Sequence, residues 1–368
     1  MKQLFVSLGL GYPIYFLNNI LENNFLINYF NKLTSKLVII TDSNLKDYFA
    51  KKVQTYLKEN NFDCKLIYFP AGEANKTREI KQSLEDQLLA YKFGRDTLII
   101  AVGGGVVTDI AGFVASTYCR GIPVIYIPTT LLAMVDASIG GKTGVNTNYG
   151  KNMIGTFYQP QAVLIDFKSL NSLSNREFSN GLVEVTKHSI IADYKLFTLL
   201  EKSPFEAIRD SNSLLEQIVF TSCCIKKNIT EQDEKDNGIR QLLNFGHTIG
   251  HAIELAENYS ISHGEAVAIG MIVESYIAQK MGMTRETNIT RLYNLLKSYQ
   301  LPLKTNAFND KTKFKELLLL DKKTISSLPK IVLLNDIGSP HHTSEIYSFT
   351  PPEEILDNVL NWANYEFR

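Results

Sequence analysis

The sequence predicts an N-terminal α/β domain built on a parallel sheet, followed by a domain that is mostly α-helical. Two textures carry this reading. Through the first half, continuous apolar runs rich in Val and Ile alternate with helical stretches, the pattern of strands covered on both faces. From about residue 175 the apolar positions follow helical spacing instead, with one strand-like interruption. A chain of 368 residues has a prior of two domains. The join is expected near 165–180, giving a Rossmann-like domain over 1–172 and a helical one over 173–368.

Each element follows in order. The start, MKQLFVSLGLGYPIYF, reads as strand, turn, strand: Lys2 before an apolar stretch imitates a secretory leader, but Gly9, Gly11 and Pro13 break the run and no small-residue cleavage site follows. Residues 37–40 form a β-branched run ending at Thr41-Asp42, and 66–69 form another, closed by Pro70 and Gly72. A polar helix is expected over 77–92, before Gly94. Residues 97–102 run straight into Gly103-Gly104-Gly105 and a helix, and 124–127 stop at Pro128. SIGGKTG, residues 138–144, reads as a glycine-rich binding loop.

In the second half, apolar positions 214, 215, 218, 219 and 225 mark one helix. GEAVAIGMIVESYIAQKMG marks another, terminated by Gly282. Residues 331–334 read as a lone strand. The last helix is expected to open at Thr350-Pro351-Pro352-Glu353, with Thr350 and Glu353 at capping-box spacing and Pro351 at the first helical position.

Composition narrows the class of partner. Lys and Arg number 38 and so do Asp and Glu, so no bulk field holds the protein to nucleic acid or an anionic membrane. Hydrophobic residues at 45% and charged ones at 21% fit a folded globular chain. No segment reaches the roughly 18 uninterrupted apolar residues of a membrane helix. Cys64, Cys119, Cys223 and Cys224 lack the spacing of a disulfide scaffold or zinc ribbon and are expected to be buried thiols of a cytoplasmic protein.

Strand ends carry the first chemical signal. Gly103-Gly104-Gly105 sits where a strand meets a helix, so the backbone can approach a pyrophosphate at a helix N-terminus. Thr108 stands at the last glycine position of G-x-G-x-x-G, and the glycines alone are equally a tight structural turn. Polar groups follow the other strands too: Asp42, Glu73 with Lys76, Asp109, and Thr129-Thr130. Ligands of open α/β sheets bind at carboxyl ends of strands, which favours a nucleotide site. SIGGKTG lacks the spacing of a P-loop, but Lys142, Lys151 and Asn152 make its neighbourhood a binding region.

The second signal is histidine. In NFGHTIGHAIE, His247 and His251 are four residues apart and share a helix face; His263 opens the next helix. Histidines on adjacent helices can meet at a divalent ion with a carboxylate as third ligand. Thr248 follows His247, so this is not H-E-x-x-H. Spacing leaves His251, Glu254, Glu265 and a distant acid open as the third ligand. His188, His341 and His342 have no such context and are expected to pack or face solvent.

Taken together, these motifs resemble the dehydroquinate synthase family of sugar-phosphate cyclases. The resemblance covers nearly the whole chain and is most specific in GGGVVTDIAGFVASTYCRGIPVIYIPTTLLAMVDASIGGKTGVNTNYGKNMIGTFYQP, GLVEVTKHSII, LNFGHTIGHAIE, SHGEAVAIGM and Asp321-Lys322-Lys323. It implies a Zn²⁺ or Co²⁺ ion on Glu184, His247 and His263, with His251 an active-site group rather than a ligand. It implies NAD contacts at Asp42, Gly72, Glu73, Lys76, Gly104, Gly105, Val106, Asp109, Thr129, Thr130, Lys142, Lys151, Ser169 and Ser172. Substrate contacts are implied at Arg120, Asp136, Lys142, Asn152, Lys187, Lys226, Arg240, Asn244, His251 and Lys322, with Arg120 reaching the partner's site in a homodimer. The implied reaction turns 3-deoxy-D-arabino-heptulosonate 7-phosphate into 3-dehydroquinate and phosphate, a step towards aromatic amino acids in the shikimate pathway.

Departures from the family's pattern are Val183 before the metal glutamate, Ser172 for threonine, and no glycine in the turn 324–329. The rival readings are another cyclase, such as 2-deoxy-scyllo-inosose synthase, a metal-dependent polyol dehydrogenase, and a non-catalytic NAD-binding scaffold. Asn152, Arg240 and Lys322 favour the acidic substrate.

Overall fold

The computed structural model describes residues 2–22, 25–33, 36–147, 150–319 and 329–368. The chain divides into two compact units, Met1–Leu173 and Ser174–Arg368.

In the first unit, β1 (Lys2–Val6) and β2 (Tyr12–Leu17) form the expected opening hairpin, followed by α1 (Phe25–Phe30), β3 (Lys36–Asp42), α2 (Phe49–Glu59) and β4 (Asp63–Phe69). Then come α3 (Arg78–Ala90), β5 (Thr97–Gly103), α4 (Gly105–Thr117), β6 (Val124–Pro128), β7 (Lys142–Thr147), β8 (Gly150–Phe157) and β9 (Ala162–Asp166). The main sheet has the order β1-β2-β9-β6-β5-β3-β4, parallel except for β1 against β2. Every residue of β5, β6 and β9 is buried, whereas β4 at the edge alternates buried and exposed. Continuous apolar runs therefore mark the centre and alternation marks the rim. Because β4 pairs with one side of β3 and β5 with the other, the strand order reverses between β3 and β5. That is where doubly wound sheets bind ligands. Thr41 Oγ1 donates to the Val102 carbonyl at 2.8 Å and ties the two strands just below their carboxyl ends.

One expectation fails here. The stretch read as a loop enters β7, which pairs antiparallel with β8. Its glycines serve close strand contact: a Cβ on Gly155 would lie 1.9 Å from the Thr143 carbonyl oxygen, and one on Gly144 2.7 Å from that of Ile154. Glycine density is ambiguous between flexibility and tight approach. Cys119 and Cys224 are only half-buried, against the expectation for all four thiols; Cys64 and Cys223 are buried.

The second unit contains α5 (Asn175–Ala192), α6 (Tyr194–Lys202), α7 (Phe205–Asp210), α8 (Asn212–Gln232), α9 (His247–Ala256), α10 (His263–Lys280), α11 (Glu286–Ser298) and α12 (Lys311–Leu319). A short hairpin, β10 (Leu334–Asp336) and β11 (Ser339–Pro340), precedes α13 (Glu353–Glu366). The lone strand expected over 331–334 is instead an isolated bridge, Ile331 to Phe349, beside that hairpin. The last helix starts after both prolines, with Pro352 at its N-cap and no side-chain cap. A proline disfavours helical backbone in the residue before it, so Pro352 bars Pro351 from the first turn and the Thr350 capping box does not form.

Helices α5, α9 and α10 approach through glycines. A Cβ on Gly270 of α10 would sit 2.0 Å from the carbonyl oxygen of Gly246, the left-handed residue (φ +76°) that caps α9. A Cβ on Gly264 would sit 2.6 Å from Asn180 Cα on α5. Buried Glu274 accepts the Gly246 amide at 2.9 Å, which satisfies one N–H at the start of α9. Ser262 and Glu265 form a capping box on α10, and Glu265 also takes a bidentate pair of bonds from Arg176 of α5, at 3.0 and 2.8 Å. Gly270→Ala is expected to destabilise the protein by at least about 2 kcal/mol, because the clash is with backbone. A lowered unfolding midpoint would show it; an unchanged midpoint would refute the tight contact.

Candidate active site

In the first unit, residues at the carboxyl ends of strands form a polar network. Lys76, buried, donates to Asp109 Oδ2 on α4 and to Asn152 Oδ1 on β8, both at 2.5 Å. Glu73 lies in the 3₁₀ turn Glu73–Asn75 after β4, with Lys151 Nζ 3.9 Å away. Gly72 precedes that turn at φ +107°. Burial pushes the Asp109 carboxyl up, with Glu73 and Asp136 adding to this and Lys76 opposing it. Gly104 caps α4 without a side chain, and Gly105 and Val106 begin the helix. Asp42 ends β3; burial raises its carboxyl against the amides of Asn44 and Leu45. Thr129 is buried and Thr130 Oγ1 accepts the Ala133 amide at 3.2 Å.

The remaining expected residues of this unit sit on other elements. Asp136 lies in the π-helical turn Ala133–Ala137, and Lys142 is exposed at the start of β7. Ser169 and Ser172 lie in the 3₁₀ turn Phe167–Ser172, where Ser169 Oγ donates to the Asp166 carbonyl at 2.7 Å. Arg120 is exposed on a left-handed stretch, Cys119 at φ +50°, Arg120 at +67° and Gly121 at +115°. Two consecutive non-glycine residues with positive φ are strained backbone, which persists where its surroundings impose it.

In the second unit, α5, α9 and α10 bring Glu184, His247 and His263 together, with one donor atom of each within 4.8 Å of the others. His247 Nε2 is 3.6 Å and His263 Nε2 3.5 Å from Glu184 Oε1. Two bonds of about 2.0–2.1 Å at a tetrahedral angle would set neighbouring donors roughly 3.4 Å apart. The three residues therefore fit a divalent ion in both chemistry and spacing. The other ring nitrogens are engaged: His247 Nδ1 with the Phe245 carbonyl at 3.1 Å and His263 Nδ1 with Glu254 Oε1 at 3.3 Å. Each Nδ1–H donates outward and turns Nε2 towards Glu184, the usual orienting device for metal-binding histidines.

Charge supports the same reading. Burial, then Lys187, hold His247 well below the ordinary imidazole value, so it is neutral. Burial opposes charge on His263 too, but the Glu254 and Glu184 carboxylates outweigh it and raise the ring to about 9. A pocket that draws a proton so strongly is one where a metal cation competes well. Lys187 forms an ion pair with Glu184 three residues away.

Sequence spacing left Glu254 open as a ligand, whereas here it holds the far side of His263. A second donor set, His251, Glu254 and His263, shares that histidine. Glu184 was out of reach of spacing because it is 63 residues before His247.

The His251 ring centroid is 5.5 Å from that of His247 and 6.1 Å from that of His263. Lys226 on α8 and Arg240 on the 3₁₀ turn Ile239–Asn244 are buried cations. Asp233 accepts the amides of Asn237, Gly238 and Arg240 at 3.1, 2.7 and 3.1 Å, and Arg240 Nη1 donates to the Glu234 carbonyl at 2.5 Å. Asn244 closes the same turn, two residues before the cap of α9. Lys322 lies outside the described residues. His188 is buried with Nδ1 2.7 Å from Ser222 Oγ, a packing residue as expected.

Comparison with known proteins follows this geometry. The family model of the 3-dehydroquinate synthase N-terminal region matches residues 66–180, and that of the C-terminal region matches 181–324. The 3-dehydroquinate synthase of Thermoanaerobacter pseudethanolicus is 42% identical over 94% of this chain and 96% of its own. That of Caldanaerobacter subterraneus subsp. tengcongensis is 46% identical over 83% and 86%.

Among solved structures, 2-deoxy-scyllo-inosose synthase with carbaglucose-6-phosphate, NAD⁺ and Co²⁺ superposes with a TM-score of 0.87 at 27% identity, over 98% of this chain and 99% of that one. The 2-epi-5-epi-valiolone synthase of Streptomyces hygroscopicus subsp. jinggangensis with NAD⁺ and Zn²⁺ has a TM-score of 0.86, also at 27% identity, over 96% and 97%. The NADH-dependent butanol dehydrogenase A of Thermotoga maritima, at 14% identity and 0.70 over 95% and 96%, shares the fold alone. On these matches, which run nearly the length of the chain, the protein belongs to the 3-dehydroquinate synthase family.

Proposed function

We propose that the chain is a phosphate-eliminating lyase that converts 3-deoxy-D-arabino-heptulosonate 7-phosphate into 3-dehydroquinate and phosphate, with NAD in the first unit and Zn²⁺ or Co²⁺ in the second. The observation that carries this is the Glu184, His247 and His263 cluster, joined to family membership. Both cyclases solved with NAD⁺ hold Co²⁺ or Zn²⁺, and a chain of the same family with a fitting donor set is read in the same way.

When bound, a divalent ion would supply positive charge that favours ionisation of a substrate hydroxyl, and NAD would take and later return a hydride. The chain's own residues do the rest. Glu184, His247 and His263 hold the ion with one carboxylate and two neutral imidazoles, leaving net positive charge at the site. Oxidation of one carbinol acidifies the neighbouring C–H, which lets phosphate leave. After the hydride returns, the enol closes the ring by an aldol step. His251, on the face of α9 that carries His247, stands with Asn244 near the substrate phosphate.

A neutral chain handles a substrate with two anionic groups, a carboxylate and a phosphate, through local cations: Lys187, Lys226 and Arg240 in the second unit, and Lys142 and Arg120 in the first. Buried Arg240 suits the carboxylate, because a guanidinium grips it with two bonds while lysine acts as a point charge. Asn152 and Asp136 bind substrate hydroxyls, and Lys322 joins the cations. The strained, exposed Arg120 supports its use by a partner subunit in a homodimer. Among the described residues no helix is long and apolar enough to cross a membrane.

The test is to supply purified protein with NAD and the heptulosonate phosphate. Phosphate and ring product should appear together without net NADH, whereas accumulating NADH would favour a dehydrogenase. His247→Ala should lose bound metal and at least about a thousandfold in turnover, and full activity in that variant would refute the site. Arg120→Ala and His251→Ala, each inactive alone, should regain part of the activity when mixed and allowed to exchange subunits. Failure to complement would place Arg120 outside any shared site.

A further inference from the structure

We infer that Asn146 is the positioning residue that holds the nucleotide and substrate groups of the first unit in one register. It stands at the irregular register between Val145 and Thr147 in the β7–β8 ribbon, where a bulge re-aims a side chain. Its Nδ2 donates to Glu73 Oε1 at 2.8 Å, its Oδ1 accepts the Asn152 amide at 3.0 Å, and its own amide donates to the Lys76 carbonyl at 2.7 Å. One half-buried residue thus bonds, through its side-chain and backbone amides, to three residues that carry the site. Lys76 in turn reaches Asp109 and Asn152. Asn152 is held at φ +54°, a backbone state that a non-glycine residue keeps only when neighbours impose it.

The amide is the right chemistry for this place. Glu73 accepts and the Asn152 amide donates, so the side chain between them must offer both a donor and an acceptor within one short plane. An aspartate keeps the shape and the acceptor but turns a carboxylate towards Glu73. Alanine removes both bonds. Asn146 does not touch ligand in this scheme; it acts through Glu73, Lys76 and Asn152. The inference rests on the reading of this unit as the NAD site.

NAD binding to the metal-loaded, substrate-free protein, measured by calorimetric titration, separates the outcomes. Asn146→Ala should raise the Kd for NAD about tenfold, the effect of losing a hydrogen bond to a charged group, with metal content and unfolding midpoint close to the parent's. Asn146→Asp should weaken NAD binding further at pH 7. The groups facing that side chain are Glu73 from the 3₁₀ turn, Lys76 just after it, Lys151 from β8, and Asp109 from α4 through Lys76. Parental affinity in both variants would overturn the inference and leave the NAD site standing. No NAD binding by the unaltered protein would overturn the site itself, and the inference with it.

Discussion

The close approach of α9 and α10 is the constraint on which the rest depends. Gly270 and Gly246 let two backbones come nearer than any side chain would allow, and this sets the His247 and His263 rings 5.3 Å apart. Gly264 does the same against α5, whose Glu184 completes the donor set. Packed interiors do not deform continuously, so a methyl group at these contacts would displace a helix and its ligand together. Buried polar groups hold the arrangement as well: Glu274 at the start of α9 and the Arg176–Glu265 pair between α5 and α10. The donor cluster is therefore a property of the helix packing before it is a property of three side chains.

The electrostatics follow from that geometry. Glu184 and Lys187 are buried beside two partly exposed imidazoles, and buried charges interact strongly. Glu254 and the Phe245 carbonyl fix which ring nitrogen of each histidine faces inward. In the first unit, Lys76, Asp109, Glu73 and Lys151 balance one another, so this part of the site is polar without a large net charge. Zero net charge over the whole chain is compatible with an anionic substrate because the cations are placed locally.

Much of this was legible in the sequence, for physical reasons. Buried parallel strands read as unbroken apolar runs, so β3, β5 and β6 were expected where they occur. His247 and His251 share a helix turn, and the helical period alone puts them on one face. Other features depend on distant partners or on geometry finer than a period. The ribbon of β7 and β8 hid behind Gly144 and Gly155, whose close contact looks in sequence like a flexible loop. The start of α13 turned on Pro352 acting on Pro351, which spacing rules for a cap ignore. β9 went unread although its apolar run is as long as that of β6. Glu184 came only from resemblance to a known family. That Glu254 bonds Nδ1 of His263 depends on ring orientation, which residue spacing does not encode.

Two donor sets share His263, and a single measurement tells them apart. A crystal of the zinc-loaded protein, with data collected at the zinc edge, should show one anomalous peak within about 2.2 Å of a Glu184 carboxylate oxygen and of Nε2 of both His247 and His263. A peak on the other side of the ring, bound by Nδ1 of His263 with Glu254 and His251, would contradict the account.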